Sequence, residues 1–138
     1  MLVRKNKKHD LLRAVPLFAR CTRREIAELA DECDELAVRA GTELTHEGSR
    51  GREFMVIVEG NVKVTKNGRT VNRLGPGDFL GEIALLADVP RTATVTTEEP
   101  TVLLVLTDRG FDWVAKRMPS VRTRLLTVLA ERLAATGV

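Results

Sequence analysis

The residues of this chain whose types and spacing could do chemistry are concentrated between Gly81 and Thr92. Gly81 ends the apolar pair Phe79 and Leu80, and glycine can take the backbone angles of a tight strand-to-helix turn. The run that starts at Glu82 favours one or two turns of helix. The first amides of such a helix have no partner within it and, with the helix dipole, attract an anion. The segment therefore predicts an anion site that needs no metal.

The two charged side chains of this segment indicate what the anion belongs to. Arg91, on a loop that Pro90 stiffens, offers a planar guanidinium that matches two phosphate oxygens. A carboxylate such as Glu82 is repelled by phosphate, so it suits a neutral hydroxyl such as a ribose 2′-OH, and it would reject a deoxyribose. Singly, these residues are an ordinary turn glycine, a first-turn acid and a solvated loop arginine. Their joint order and spacing favours a site for a cyclic nucleotide.

Two segments carry a resemblance to a known family, GEIALL at 81–86 and PRTATV at 90–95. They resemble the phosphate-binding cassette of the cyclic nucleotide-binding domain family, which includes the regulatory subunits of cAMP-dependent kinase, cGMP-dependent kinases and the bacterial catabolite activator proteins. Residues 11–18 resemble the opening helix of that family, and residues 54–60 resemble its central strand. The resemblance covers nearly the whole chain.

The resemblance implies a role for each residue of the cassette. Glu82 would take the ribose 2′-hydroxyl, and backbone amides of Ile83 and Ala84 would touch the cyclic phosphate. Arg91 would pair with the phosphate, and Thr92 would add an amide or hydroxyl contact. The ligand-binding residues implied in this way are Gly81, Glu82, Ile83, Ala84, Arg91, Thr92 and Ala93.

The identity of the base is expected from the same resemblance. Thr92 divides the signal, because cGMP-selective kinase domains and bacterial cAMP receptors both carry a hydroxyl residue after the arginine. The chain resembles bacterial relatives, for which cAMP is the usual ligand, so cAMP is favoured over cGMP. A residue that contacts the base is expected between Arg117 and Arg132.

Hydrophobic periods predict an α+β fold in which residues 1–138 form one domain. A helical pattern covers residues 10–36, where Thr22 and Glu25 have the spacing of a capping box. From 37 to 107, glycines separate short alternating segments, which predicts an antiparallel β jelly roll, a double-stranded β-helix barrel. This jelly roll would contain the phosphate-binding cassette, at 81–94. Asn67 and Gly68 predict a hairpin turn within it.

The C-terminal segment, residues 108–136, is predicted to be helical. Thr107 can cap a first helix, and Pro119 interrupts it before a last one. If the resemblance holds, these are the lid and relay elements of the family. Apolar residues of the last helix would pack either on the chain's own barrel or on a second copy in a homodimer. They are Leu125, Val128, Leu129 and Leu133.

Composition favours a cytoplasmic protein. The 138 residues are 43% hydrophobic, enough for one core, and no stretch is long enough to span a membrane. The basic N-terminus has no apolar signal region after it. Cys21 and Cys33 are too far apart for a Cys-x-x-Cys pair, and we expect ordinary buried or half-buried thiols in a reducing compartment. The net charge of +3 is spread over the chain, which indicates a mixed surface rather than a nucleic-acid footprint.

Other function classes lack the residues they need. An enzyme is not expected, because His9 and His46 are the only histidines and no paired carboxylates or nucleophile motif is present. A metal-binding cupin would share the architecture, but His46 and Glu47 supply at most two ligands, so no metal is expected. The chain stops at Val138, soon after Leu133, without a helix-turn-helix, so direct DNA binding is not expected.

Three hypotheses for the function therefore remain. The first is a cyclic nucleotide sensor that relays binding through its C-terminal helices to an effector protein or a fused domain. The second is an interaction domain that keeps the fold without binding a nucleotide. The third is the ligand-binding fragment of a larger regulator. The intact Glu82 and Arg91 favour the sensor.

Overall fold

The computed structural model describes residues 5–83 and 88–136, which form two β-sheets flanked by helices from both ends of the chain. The helices are α1 (Lys5–Ala14), a 3₁₀ turn (Pro16–Phe18), α2 (Arg23–Glu32), α3 (Asp108–Arg117) and α4 (Pro119–Thr136). The strands are β1 (Asp34–Val38), β2 (Glu43–Thr45), β3 (Phe54–Glu59), β4 (Val62–Lys66), β5 (Arg69–Leu74), β6 (Phe79–Leu80), β7 (Thr94–Thr97) and β8 (Thr101–Leu106).

The strands pair into two four-stranded antiparallel sheets. Their orders are β1-β8-β3-β6 and β2-β7-β4-β5. The predicted antiparallel jelly roll with flanking helices is confirmed. Within the described part of the chain no strand pairing joins the two sheets, so they form a sandwich rather than a closed barrel. The predicted hairpin turn is also present, with Asn67 at φ 52° and Gly68 at φ 77° between β4 and β5.

Strand β3 separates two layers of core because both of its faces are apolar. Met55 and Ile57 point to the other sheet and pack with residues such as Val62 and Val95. Phe54 and Val56 point the other way, into a larger cluster that the helices cover. Strand β8 is buried on both faces in the same manner, as its continuous apolar run predicts.

The helices begin and end at sequence signals. Thr22 and Glu25 form the predicted capping box at the start of α2, and the Thr107 hydroxyl accepts a hydrogen bond from the Gly110 amide at the start of α3. The prediction of helix up to Leu36 is wrong at its end. Helix α2 stops at Glu32, and residues from Asp34 onward pair with β8, because ladder hydrogen bonds outweigh the local helical pattern.

The last helix, α4, packs on its own domain. Val121 and Leu125 are buried in the helix-covered cluster, and Val128 packs against it. Leu126 lies on another face and is exposed. Of the alternatives open to α4, packing on the chain's own core therefore applies to Leu125 and Val128, while the side chain of Leu133 is outside the described residues.

The two thiols should react slowly in the folded chain. Cys33 is buried, and burial raises its pKa to about 12; Cys21 is half-buried, and burial raises its pKa to about 11. The nucleophilic thiolate of Cys33 is then a fraction of about one in ten thousand at pH 8. We expect a disulfide reagent such as DTNB to modify the native chain slowly and the urea-unfolded chain within the mixing time. Rapid stoichiometric modification of native protein would contradict this burial.

Candidate functional site

The candidate site is built on the tight turn that follows β6. This strand pairs with β3 through Leu80 and Met55, and the chain then turns at Gly81, where φ is 96°. A Cβ atom at this position would collide with the carbonyl oxygen of Glu53, so only glycine fits both the angle and the space. Glu82 and Ile83 then begin a helical turn. The predicted contact by Ala84, and the rest of that turn, lie outside the described residues.

Arg91 is held inside the protein by three oxygen atoms. Its Nη2 donates to the carbonyl oxygen of Glu53 and to Glu53 Oε2, both at 3.1 Å, and its Nη1 donates to the Gly81 carbonyl oxygen at 3.5 Å. Only 5% of the residue is exposed, and burial lowers the pKa of the guanidinium, an effect that Glu53 and Glu82 oppose. A buried cation with one half-exposed carboxylate beside it is a suitable partner for an anion.

Backbone hydrogen bonds fix the loop that carries Arg91. Its amide donates to the Ser49 carbonyl oxygen, and its carbonyl oxygen accepts from the Gly48 amide, both at 2.9 Å. Gly51 lies next to the guanidinium, and an added Cβ there would collide with Nε of Arg91. Nothing in the sequence marked Gly51 as a site residue, because its glycine requirement comes from a side chain far along the chain.

Gly51→Ala should therefore displace Arg91 without unfolding the domain. Its backbone angles are ordinary for any residue, so the collision with the guanidinium is the main effect. We expect a reduction of anion affinity of about tenfold, similar to the loss of one hydrogen bond to a charged group. Titration calorimetry with the ligand proposed below measures it. Gly75→Ala is the control, since its φ also lies outside the left-handed region and an added Cβ there would meet only the movable end of the Asn61 side chain. An equal loss in both variants would contradict the role of Gly51.

Glu82 is a buried carboxylate with an unfilled hydrogen bond. Only 2% of it is exposed. Its Oε1 accepts a short hydrogen bond from Nη1 of Arg132 on α4, whereas its Oε2 is buried and has no partner among the described residues. A buried acceptor without a donor is costly, which points to a missing hydroxyl or amide. The ion pair also brings the end of α4 against the segment after β6.

Arg132 is held in place by β6 as well. Its Nη2 donates to the Phe79 carbonyl oxygen at 2.6 Å, and its guanidinium carbon lies 4.5 Å from the centre of the Phe79 ring. It lies within the stretch where a base contact was expected, although the contact it makes in this structure is with Glu82. Arg132 is 50 positions away from Glu82 in the chain, so no local sequence pattern could indicate that the two side chains pair.

These side chains line one cavity of about 100 Å³. Of the residues predicted for the site, Gly81, Glu82, Ile83, Arg91, Thr92 and Ala93 line it. The opposite sheet supplies walls that sequence reasoning did not identify: Thr45, Val64, Val71, Asn72, Leu74 and Val95. The cavity thus combines a buried cation and a buried carboxylate with an apolar wall. Such a set suits a ligand that carries one anionic group, one hydroxyl and one flat apolar group.

The described part of the chain contains neither a candidate metal-binding cluster nor a candidate membrane-spanning helix. There, no three His, Cys, Asp or Glu side chains are grouped in a way that could hold a metal ion. His46 instead pairs with Glu43, with 2.8 Å between Nδ1 and Oε1. None of the helices described is both long and apolar enough to cross a bilayer.

Known proteins resemble the chain in both sequence and fold. A family model described as the cyclic nucleotide-binding domain matches residues 35–118. The chain is 34% identical over 103 residues to a cAMP-dependent protein kinase regulatory subunit from Debaryomyces hansenii, which is 74% of this chain and 23% of that protein. It is 37% identical over 114 residues to the Pycsar effector protein XpPycTIR of Xanthomonas perforans, or 81% of this chain and 38% of that protein.

The fold is also similar to a solved structure, the regulatory domain of Toxoplasma gondii PKA in complex with cAMP. The TM-score is 0.83 and the sequence identity 24%, over 93% of this chain and 50% of that one. The chain therefore spans between 23% and 38% of the length of the two relatives above. In each of them it corresponds to one part of a longer protein.

Proposed function

The chain belongs to the cyclic nucleotide-binding domain family, and on that basis we propose that it is a sensor that binds cAMP in preference to cGMP. In this proposal Arg91 pairs with the cyclic phosphate and Glu82 binds the ribose 2′-hydroxyl. Amides after Gly81 add contacts to the phosphate, and α3 and α4 relay the binding event to an effector protein or to a domain fused to this one.

The observation that carries the proposal is the orphaned Oε2 of Glu82 in the same cavity as Arg91. A buried carboxylate oxygen without a donor needs a neutral hydroxyl, because a second anion would be repelled. Arg91, whose carboxylate partner Glu53 is half-exposed, can bind an anion at the same time. A ribose that carries a cyclic phosphate presents both groups on one rigid ring system, so a single ligand supplies both partners.

Adenine is supported by the side chain of Asn72 on the apolar wall. One lone pair of its Oδ1 accepts from the Arg73 amide, at 2.8 Å, which leaves a second lone pair and the NH₂ group for a ligand. An acceptor beside a donor matches the N6 and N7 edge of adenine, whereas guanine presents two acceptors there.

The relay is supported by the position of Arg132. This residue belongs to α4 and ends on Glu82, so a ligand that binds Glu82 also meets the last helix. A ligand changes the position of α4 only by the difference in its affinity for two arrangements. The longer relatives carry further regions to which such a change could pass. For this protein, the proposed recipient is an effector protein or a fused domain.

Titration calorimetry of the chain with three ligands tests the proposal. We expect saturable binding of cAMP and weaker binding of cGMP. Adenosine, which keeps the base and both ribose hydroxyls but lacks the phosphate, should bind at least about 30-fold more weakly than cAMP because it offers no anion to Arg91. Binding of neither cyclic nucleotide would favour the alternative, an interaction domain that keeps the fold. Tighter binding of cGMP would refute the adenine assignment and keep the sensor.

A further inference from the structure

Arg52 joins two parts of the molecule that are far apart in sequence. It precedes β3 and donates from Nη1 to Asp88 Oδ1 at 2.9 Å and from Nε to Asp108 Oδ2 at 3.1 Å. Asp88 lies in the loop that leads to Arg91, and Asp108 is the first residue of α3. We call Arg52, Asp88 and Asp108 the Arg52 link. We call residues 88–91 the arginine loop. One guanidinium thus contacts both the arginine loop and the start of the C-terminal helices.

The residue next to Arg52 acts on the same loop. Glu53 Oε2 accepts from Nη2 of Arg91 and from the backbone amide of Arg52, both at 3.1 Å. The two adjacent residues therefore hold Asp88 and Arg91, the two ends of one short loop segment. Asp88 has a φ of 50°, in the left-handed region that aspartate adopts more readily than most residues other than glycine. The Arg52 ion pair holds its side chain against the start of β3.

Charge favours the link in the form seen here. The side-chain hydrogen bonds of Asp88 and Asp108 raise the pKa of Arg52, so the guanidinium stays charged. Half of the Arg52 side chain is exposed, and exposed ion pairs add little to the overall stability of a domain. A contact that contributes little to stability but joins two elements acts mainly on their relative position.

We propose that Arg52 is a positioning residue that couples the arginine loop to α3, and hence ligand binding to the C-terminal helices. This inference rests on the proposed function, because the event that it transmits is the pairing of the cyclic phosphate with Arg91. A ligand that draws Arg91 away from Glu53 moves the loop that contains Asp88. Arg52 transfers the displacement to Asp108 at the first turn of α3.

Trp113 offers a local reporter of α3. It is the one tryptophan of the sequence, it packs half-buried against the helix-covered core, and the Arg117 guanidinium carbon lies 5.3 Å from its ring centre. Its emission therefore responds to a change in the packing of α3. Calorimetry measures cAMP affinity independently, so binding and transmission can be separated in the same protein.

The experiment compares Arg52→Ala, Asp108→Asn and the double variant with the unmodified chain. Addition of cAMP to the unmodified chain is expected to change the emission of Trp113. In Arg52→Ala, cAMP should still saturate the site, but the emission change should fall by at least about twofold, the lower end of the effect of losing a coupling contact. Asp108→Asn should give a similar loss, and the double variant no further loss, since both remove one link.

Arg73→Ala is the matched control. Arg73 is another exposed arginine paired with one carboxylate, that of Glu98, and it contacts neither the arginine loop nor α3. It should leave the emission change intact, and Arg52→Lys should restore part of the loss because it keeps the charge. A full response in Arg52→Ala, or an unmodified chain that binds cAMP without any emission change, would overturn the inference alone. Absence of cAMP binding to the unmodified chain would overturn the proposed function and the inference with it.

Discussion

Replacing Arg91 by alanine is expected to reduce cAMP affinity by about 30- to 5,000-fold, the 2–5 kcal/mol lost when a desolvated charge pair loses one member. The residue is 5% exposed and lines the cavity, so water cannot screen its interaction with a bound phosphate. Arg91→Lys should lose less than alanine but should not restore the full affinity, because an ammonium keeps the charge and lacks the planar fork. Titration calorimetry with cAMP measures both variants.

The fold should survive this substitution. Glu53, which pairs with Arg91, has 51% of its side chain exposed, so water can solvate the carboxylate once the guanidinium is gone. Circular dichroism of the variant checks this, and Arg73→Ala serves as a control for a surface arginine. If folded Arg91→Ala bound cAMP as tightly as the unmodified chain, the phosphate would have to bind elsewhere.

Replacing Glu82 by alanine is expected to abolish discrimination between cAMP and 2′-deoxy-cAMP. The unmodified chain should bind 2′-deoxy-cAMP about 10- to 150-fold more weakly, since a hydrogen bond to a charged group contributes about 1.5–3 kcal/mol. The missing hydroxyl would leave Oε2 of Glu82 buried without a donor, as it is in the present structure. In Glu82→Ala the two ligands should bind equally, and more weakly than cAMP binds to the unmodified chain.

The comparison of two proteins with two ligands isolates the ribose contact. Glu82→Ala also releases Arg132, but that effect applies to both ligands and cancels in their affinity ratio. Glu59→Ala, an exposed glutamate at the end of β3, should retain the ratio of the unmodified chain. A ratio that stays large in Glu82→Ala would assign the hydroxyl to another residue, and a ratio near one in the unmodified chain would show that this oxygen does not bind the ribose.

Local sequence rules predicted the parts of the fold whose signals are local. The Thr22 capping box, the Asn67 and Gly68 turn and the break at Pro119 each depend on a few neighbouring residues, and each is present. The boundary between α2 and β1 depends instead on a partner strand about seventy positions away, so the helical pattern was followed too far. Residue propensities and hydrophobic periodicity do not show which distant strand a segment will pair with.

The same division holds for the site. Glu82 and Arg91 could be selected from the sequence because a turn glycine, an acid and an arginine follow one another within a short segment. Asn72 on β5 and Arg132 on α4 reach the cavity through tertiary packing, and Gly51, before β3, reaches the Arg91 side chain in the same way. No spacing rule relates them to Glu82, so the structure was required to bring them into view.

Phe79 connects Arg132, which lines the cavity, to the helix-covered core. Its ring lies under the Arg132 guanidinium on one side, while the ring of Phe54 lies 5.4 Å from it and 5.1 Å from that of Phe111. We therefore expect the pocket to melt together with the domain rather than in a separate transition. Any ligand that fills the pocket should stabilise the folded domain by mass action, by about 2.7 kcal/mol when its concentration is a hundred times its dissociation constant. The midpoint of thermal denaturation should rise accordingly. A melting-temperature screen would consequently rank nucleotides without a label and without knowledge of the effector.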